Sequence, residues 1–205
     1  MNSTYTSVKD RAYSYEAYDK LINDLLEEGK STGEKQTPKR AEVSRLNAHR
    51  MARVHKTVKL AEEVAEAAQN ARPQYWMVLT EGWCGDSAHA IPVMDLIAKA
   101  SNGRIQLGMI LRDDNLDIMD QYLVNGGRSI PRLVAYDAES GEEIGTWGPR
   151  PAPVQQMMAD YKANPDDSRD IQIEMQQWYN ADKSKTMQHE LMSLISAQAS
   201  SYQSV

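Results

Sequence analysis

Phenylalanine is absent from this chain of 205 residues, and cysteine occurs once, as Cys84. The first absence leaves Leu, Ile, Val, Met, Tyr and Trp to build the core. The second excludes an intrachain disulfide, and with it a disulfide-stapled secreted domain. No run approaches the roughly 18 apolar residues that a membrane-spanning helix needs. The N-terminal MNSTYTSVKDRAYSYEAYDK has no apolar stretch behind a basic start, so no signal peptide is expected and a cytoplasmic location is the default. Basic residues are in deficit, 23 Lys and Arg against 29 Asp and Glu, giving a formal charge of -6. Neither nucleic acid, whose backbone demands clustered Lys and Arg, nor a membrane is an expected partner. Metal binding is not expected either. Cys84 and His89 are five residues apart, about 140° around a helix at 3.6 residues per turn, and so do not share a face. His49 and His55 fail in the same way, and no phosphate-cradling glycine motif or hydrolase nucleophile elbow is present.

What remains is ordinary globular composition, 41% hydrophobic and 25% charged. Residues 1–13 are polar and are expected to be loosely ordered. Tyr18, Leu21, Ile22, Leu25 and Leu26 keep helical spacing over 14–29, with Gly29 as a stop, and 30–40 reads as a connection. A long helix is predicted from about 40 to 70, because Val54, Val58, Ala61, Ala65 and Ala68 step by threes and fours. Then the period changes. YWMVLT (75–80) and RIQLGMIL (104–111) are apolar runs of strand length around a helical pattern at 85–100, which makes a right-handed βαβ unit. A short helix is predicted over 113–125. Two strands at 131–136 and 143–147 close a hairpin over DAESGE, and a helix follows at 151–163. Beyond Pro165, the stripes Ile171, Met175, Trp178 and Met187, Leu191, Leu194, Ile195 predict two helices or one kinked helix, broken near 181–185.

Cys84 stands where a strand ends and a helix begins. Unpartnered N–H groups and the helix dipole favour negative charge there, so a thiolate would be stabilised and the thiol's pKa is expected to fall below the ordinary value.

WCGDS (83–87) resembles the W-C-G-P-C active-site turn of the thioredoxin family. Pro92 stands mid-helix, eight residues after the cysteine, where thioredoxins carry a kinking proline. Ser129-Ile130-Pro131 resembles the family's loop before its cis-proline, and the hairpin and Gly148 follow in order. The similarity covers about 72–163 and is strongest to a bacterial thioredoxin-like branch with a W-C-G-D-S/A motif. It implies an α/β thioredoxin-like fold (βαβ–α–ββα), a central mixed sheet flanked by helices, with N- and C-terminal helical extensions. Three parts are expected: 1–71, an N-terminal helical extension; 72–164, the thioredoxin-like domain; 165–205, a C-terminal helical extension packed on it.

The departures from the family pattern shape the expected function. Ser87 replaces the second cysteine and Asp86 the turn proline, while Val78 stands where thioredoxins keep a buried acid. A serine cannot close a dithiol cycle. The resemblance therefore implies monothiol redox chemistry without a cofactor: Cys84 as nucleophile, Ser87 donating to its thiolate, Asp86 opposing it by like charge. A low-molecular-weight thiol such as glutathione or bacillithiol, or a protein thiol, would resolve the mixed disulfide. By strand direction, Trp83, Arg112, Arg128, Ile130, Pro131, Trp147 and Arg150 gather at the same sheet edge as candidate substrate-binding residues. Each arginine also suits an internal ion pair, for example with Asp113, Asp114 or Asp86. A non-catalytic binding module using the groove beside Pro131 is the alternative function.

Overall fold

The structure is a computed structural model and describes residues 3–164 and 168–197. Residues 1–2, and 165–167 and 198–205 of the expected C-terminal extension, lie outside the described residues.

At the centre is a four-stranded sheet: β1 (Gln74–Thr80), β2 (Ile105–Leu111), β3 (Arg132–Asp137) and β4 (Glu143–Trp147), in the spatial order β2-β1-β3-β4. The β1–β2 pair is parallel, as a helical crossover requires; β1–β3 and β3–β4 are antiparallel. Every residue of β1 is buried. Its alternation sends Trp76 and Val78 to one face, and Tyr75, Met77 and Leu79 to the other. Both faces are covered, which explains why the strand reads as an unbroken apolar run.

The crossover helix is α5 (Gly85–Ala100), with Pro92 inside it. It lies under one face and is packed in turn by α2 (Tyr15–Glu27), α3 (Pro38–Thr57) and α4 (Glu62–Gln69). The cause of α2 is local. The Ser14 side chain caps its start by accepting from the Ala17 N–H. Tyr18, Ile22 and Leu26 form the buried stripe. At its end Gly29, with φ +71°, lets its own N–H reach the Leu26 carbonyl and the Lys30 N–H reach that of Leu25, a Schellman stop. The C-terminal α7 (Ala152–Ala163), α8 (Ile171–Asp182) and α9 (Lys185–Ser196) complete that layer, with α9 against β4 and α4.

Four local expectations are corrected. The N-terminal stretch contains a helix, α1 (Ser3–Lys9), whose Tyr5 and Val8 are buried beneath the second sheet face. The Tyr5 hydroxyl donates to the Ala138 carbonyl, 133 residues away. Two apolar residues one turn apart were a faint signal amid polar neighbours. The predicted 40–70 helix is two helices, broken at 58–61 where Val58 is extended. Its start lies inside the presumed connection, because Thr37 caps α3 and Pro38 occupies its first turn. The 113–125 helix shrinks to α6 (Leu116–Met119), leaving Leu116 and Leu123 exposed. The break near 181–185 falls at Lys183 and Ser184, both left-handed.

Candidate functional site

Cys84 is the N-cap of α5, with φ −83° and ψ 116°. Its N–H closes a turn onto the Glu81 carbonyl at 3.0 Å, and its own carbonyl accepts from Ala88. Opposite lies the loop before β3, where the Ile130–Pro131 peptide is cis. The Cys84 Sγ donates to the Ile130 carbonyl oxygen at 3.3 Å, so the resting sulfur carries its proton. Only 7% of the residue is exposed, and the side chain belongs to the apolar cluster containing Leu79, Ile110 and Ile118.

That environment reverses the expected direction of titration. Burial, followed by the neighbouring Asp86 charge, pushes the thiol up to about 11; the nearby Ser87 hydroxyl and the first-turn N–H groups of Ser87 and Asp86, which would stabilise a thiolate, pull the other way by less. The helix terminus does favour the thiolate, but loss of hydration outweighs it. The Ser87 Oγ opposes the upward push; it is itself buried and has no hydrogen-bond partner among the described residues.

Asp86 is also buried, at 8% exposure. Its Oδ1 accepts from the Tyr179 hydroxyl at 2.9 Å, and its Oδ2 lies 2.8 Å from Arg150 Nη2. Burial raises its pKa; Arg150 and Tyr179 pull the other way. The other two arginines are likewise engaged. Arg112 pairs with Asp113 at 2.6 Å and Arg128 with Asp120 at 2.6 Å. The Arg40 and Arg112 guanidinium groups both lie over the Trp83 ring, 4.3 and 4.8 Å from its centre. Glu81 is a buried carboxyl whose Oε1 accepts from the Asp113 N–H, and burial pushes its pKa up.

A cleft of about 290 Å³ opens over the thiol. It brings together Trp83, Cys84, Asp86, Arg112, Arg128, Ile130 and Arg150. Ser87, Pro131 and Trp147 do not line it. Trp147 is buried, and its Nε1–H donates to Glu190 Oε2 at 2.7 Å. Among the described residues, no group of three or more His, Cys, Asp and Glu is placed to hold a metal, and no helix is long and apolar enough to cross a membrane.

A family model described as Thioredoxin matches residues 33–162. The chain belongs to the thioredoxin family. Among solved structures, a protein of unknown function from Pseudomonas aeruginosa is 19% identical and superposes with a TM-score of 0.55, over 89% of this chain and 97% of that one. An HIV epitope scaffold is 18% identical, with a TM-score of 0.54 over 89% of this chain and 98% of that one. At such identities the likeness is one of fold. No curated protein matches the chain significantly.

In this thioredoxin-family protein the helices outside the sheet core reach into the site, a contribution that the sequence pattern around the turn does not reveal. Tyr179 from α8 holds Asp86, and Glu190 from α9 bridges the Trp147 indole and the Ala152 N–H at the start of α7. His89, one turn along α5, stacks on Tyr179 with ring centres 4.1 Å apart, and burial depresses its pKa to about 4. A signal for Tyr179 existed. Ile171, Met175 and Tyr179 step by four and are the buried residues of α8, whereas Trp178, chosen from the pattern, is only half-buried.

Proposed function

We propose that this protein carries out monothiol thiol–disulfide exchange at Cys84, in the cytoplasm. Cys84 gives up its proton, its sulfur attacks one sulfur of a disulfide, and the displaced thiolate leaves with a proton. The product is a mixed disulfide on Cys84. A second, external thiol then attacks that bond, restores the Cys84 thiol and leaves as a new disulfide, so electrons balance between the two outside thiols. The observation that carries this reading is the lone thiol at the mouth of α5, in an open cleft, beside a buried serine hydroxyl with no other partner. An unpartnered buried hydroxyl calls for an explanation. A donor held ready for the thiolate that forms during exchange supplies one. The S–H···O bond to Ile130 keeps the resting thiol protonated until a substrate competes for it.

The test is intact-mass analysis of the folded protein after incubation with glutathione disulfide. A single adduct is expected, lost in Cys84→Ser, and reduction of insulin should be negligible without an added small thiol. Absence of an adduct in the folded state up to pH 9 would refute the exchange chemistry. The largely buried, protonated sulfur favours one second reading, a binding module that uses the cleft without covalent chemistry. Partner capture that survives Cys84→Ser would support it.

A further inference from the structure

The arginines facing the thiol cleft are already neutralised by internal carboxylates: Arg112 by Asp113, Arg128 by Asp120, Arg150 by Asp86. Arg50, on the other side of the helix mouth, has no carboxylate partner among the described residues. Arg50, from α3, lines a hollow of about 110 Å³ with Gly85, Arg150, Gln172, Gln176 and one carboxylate, Asp86, which is paired with Arg150. The hydrogen-bond partner of Arg50 is a neutral one, Asn47 Oδ1 at 2.9 Å. A Cβ placed on Gly85 would stand 3.8 Å from Arg50 Nη1, so the guanidinium sits directly against the residue that follows the cysteine.

A partly buried charge without a counter-charge is unfavourable. Burial, with the like charge of Arg53, duly depresses the pKa of Arg50. Arg150 lines the same hollow, and its buried Nε has no partner among the described residues. The two cavities share Gly85, Asp86, Arg150 and Gln172, so they meet across the Asp86–Arg150 pair. The neighbouring cavity, which shares His89 and Tyr179, is lined by Arg53, Lys59, Lys183 and Lys185 and by no carboxylate. In a chain of charge −6, this side of the helix mouth is locally positive. The hollow is open on one side and has room for a carboxylate group.

We propose that Arg50, beside Gly85 and the Asp86-paired Arg150, forms a carboxylate-binding subsite that holds the acidic end of a small thiol or disulfide while its sulfur reacts at Cys84. This rests on the exchange reading above and narrows its substrate class: a carboxylate-bearing small thiol, in preference to a neutral or cationic one. Arg50 acts by binding and orienting substrate and takes no part in bond making.

The experiment compares adduct formation at Cys84 with three disulfides at low ionic strength: glutathione disulfide (acidic), 2-hydroxyethyl disulfide (neutral) and cystamine (cationic). Each rate is measured for the natural protein and for Arg50→Gln, so that the intrinsic reactivity of each disulfide cancels in the ratio. Loss of one charge-assisted contact should slow glutathione disulfide about tenfold and leave hydroxyethyl disulfide unchanged. Cystamine should be unchanged or faster, and Arg50→Lys should recover part of the acidic rate. Equal slowing of all three, or of none, would overturn the subsite. Failure of every disulfide to react would refute the exchange reading, and a second arm then decides the subsite separately. S-methylglutathione, which cannot exchange, should bind the natural protein about tenfold more tightly than Arg50→Gln in calorimetry; equal affinities would overturn the proposal.

Discussion

The titration of Cys84 offers the sharpest check on this description of the site. With the thiol pushed up to about 11, its ionised fraction at pH 7 is about 10⁻⁴, against about 3% for a free cysteine of pKa near 8.5. The ionised fraction alone would slow alkylation about 300-fold. A more basic thiolate is intrinsically more nucleophilic, and with a Brønsted slope of about 0.4–0.5 that recovers a little over tenfold. The net expectation is iodoacetamide labelling about 20- to 30-fold slower than a free thiol at pH 7, before any steric shielding. The rate should climb close to tenfold per pH unit and level off near pH 11. Asp86→Asn removes the second cause and leaves the first, burial, in place. Its profile should shift to lower pH yet stay above that of free cysteine. A midpoint at or below the free-cysteine value in the unsubstituted protein would refute the argument that dehydration overrides the helix terminus.

Two further outcomes follow from the packing. His89 is held neutral when folded, with a pKa near 4, and takes up a proton near 6.5 when unfolded. Its contribution is therefore whole above pH 6.5 and is lost as pH falls toward 4, about 3 kcal/mol in all. Asp86 and Glu81, whose folded pKa values are raised, run in the opposite sense. Urea unfolding of the natural protein and His89→Gln, compared between pH 7.5 and pH 4.5, isolates the histidine part; parallel curves would contradict it. Gly148 has φ +111°, and a Cβ there would collide with the Pro131 carbonyl oxygen. Gly148→Ala should cost about 2–3 kcal/mol, read as a lower urea midpoint at unchanged slope; a cost under about 0.5 kcal/mol would refute the close approach.

Much of the architecture was legible in the sequence because its signals are local or periodic. The apolar run at 75–80 announces a strand covered on both faces, and WCGDS with Pro92 and Pro131 announces a strand–turn–helix and the loop opposite it. The expected strand directions match the sheet, so Arg112, Arg128 and Arg150 do arrive at one edge. The sequence could not show how each would be spent. The Arg128 partner, Asp120, lies in a segment predicted as helix that is mostly turn, where α6 gives way to the residues that lead back to β3. The sign of the thiol's titration was equally out of reach. It depends on how fully Ile130 and the surrounding apolar groups exclude water, a tertiary quantity with no periodic trace. Arg50 and Tyr179 sit on helices 34 residues before and 95 residues after Cys84, and nothing short of the folded chain brings them together.

The bond from Tyr179 to Asp86 ties the last third of the chain to the residue two places beyond the sulfur. An excised fragment ending after α7 would keep all four strands and the cysteine turn. It would also strip a dehydrated carboxylate of its hydroxyl donor and leave Trp147 and the start of α7 without their shared anchor on Glu190. The minimal unit able to display this thiol in its native surroundings is therefore longer than the sheet and its crossover helix, and excision at the edges of the familiar core would yield a different chemical object.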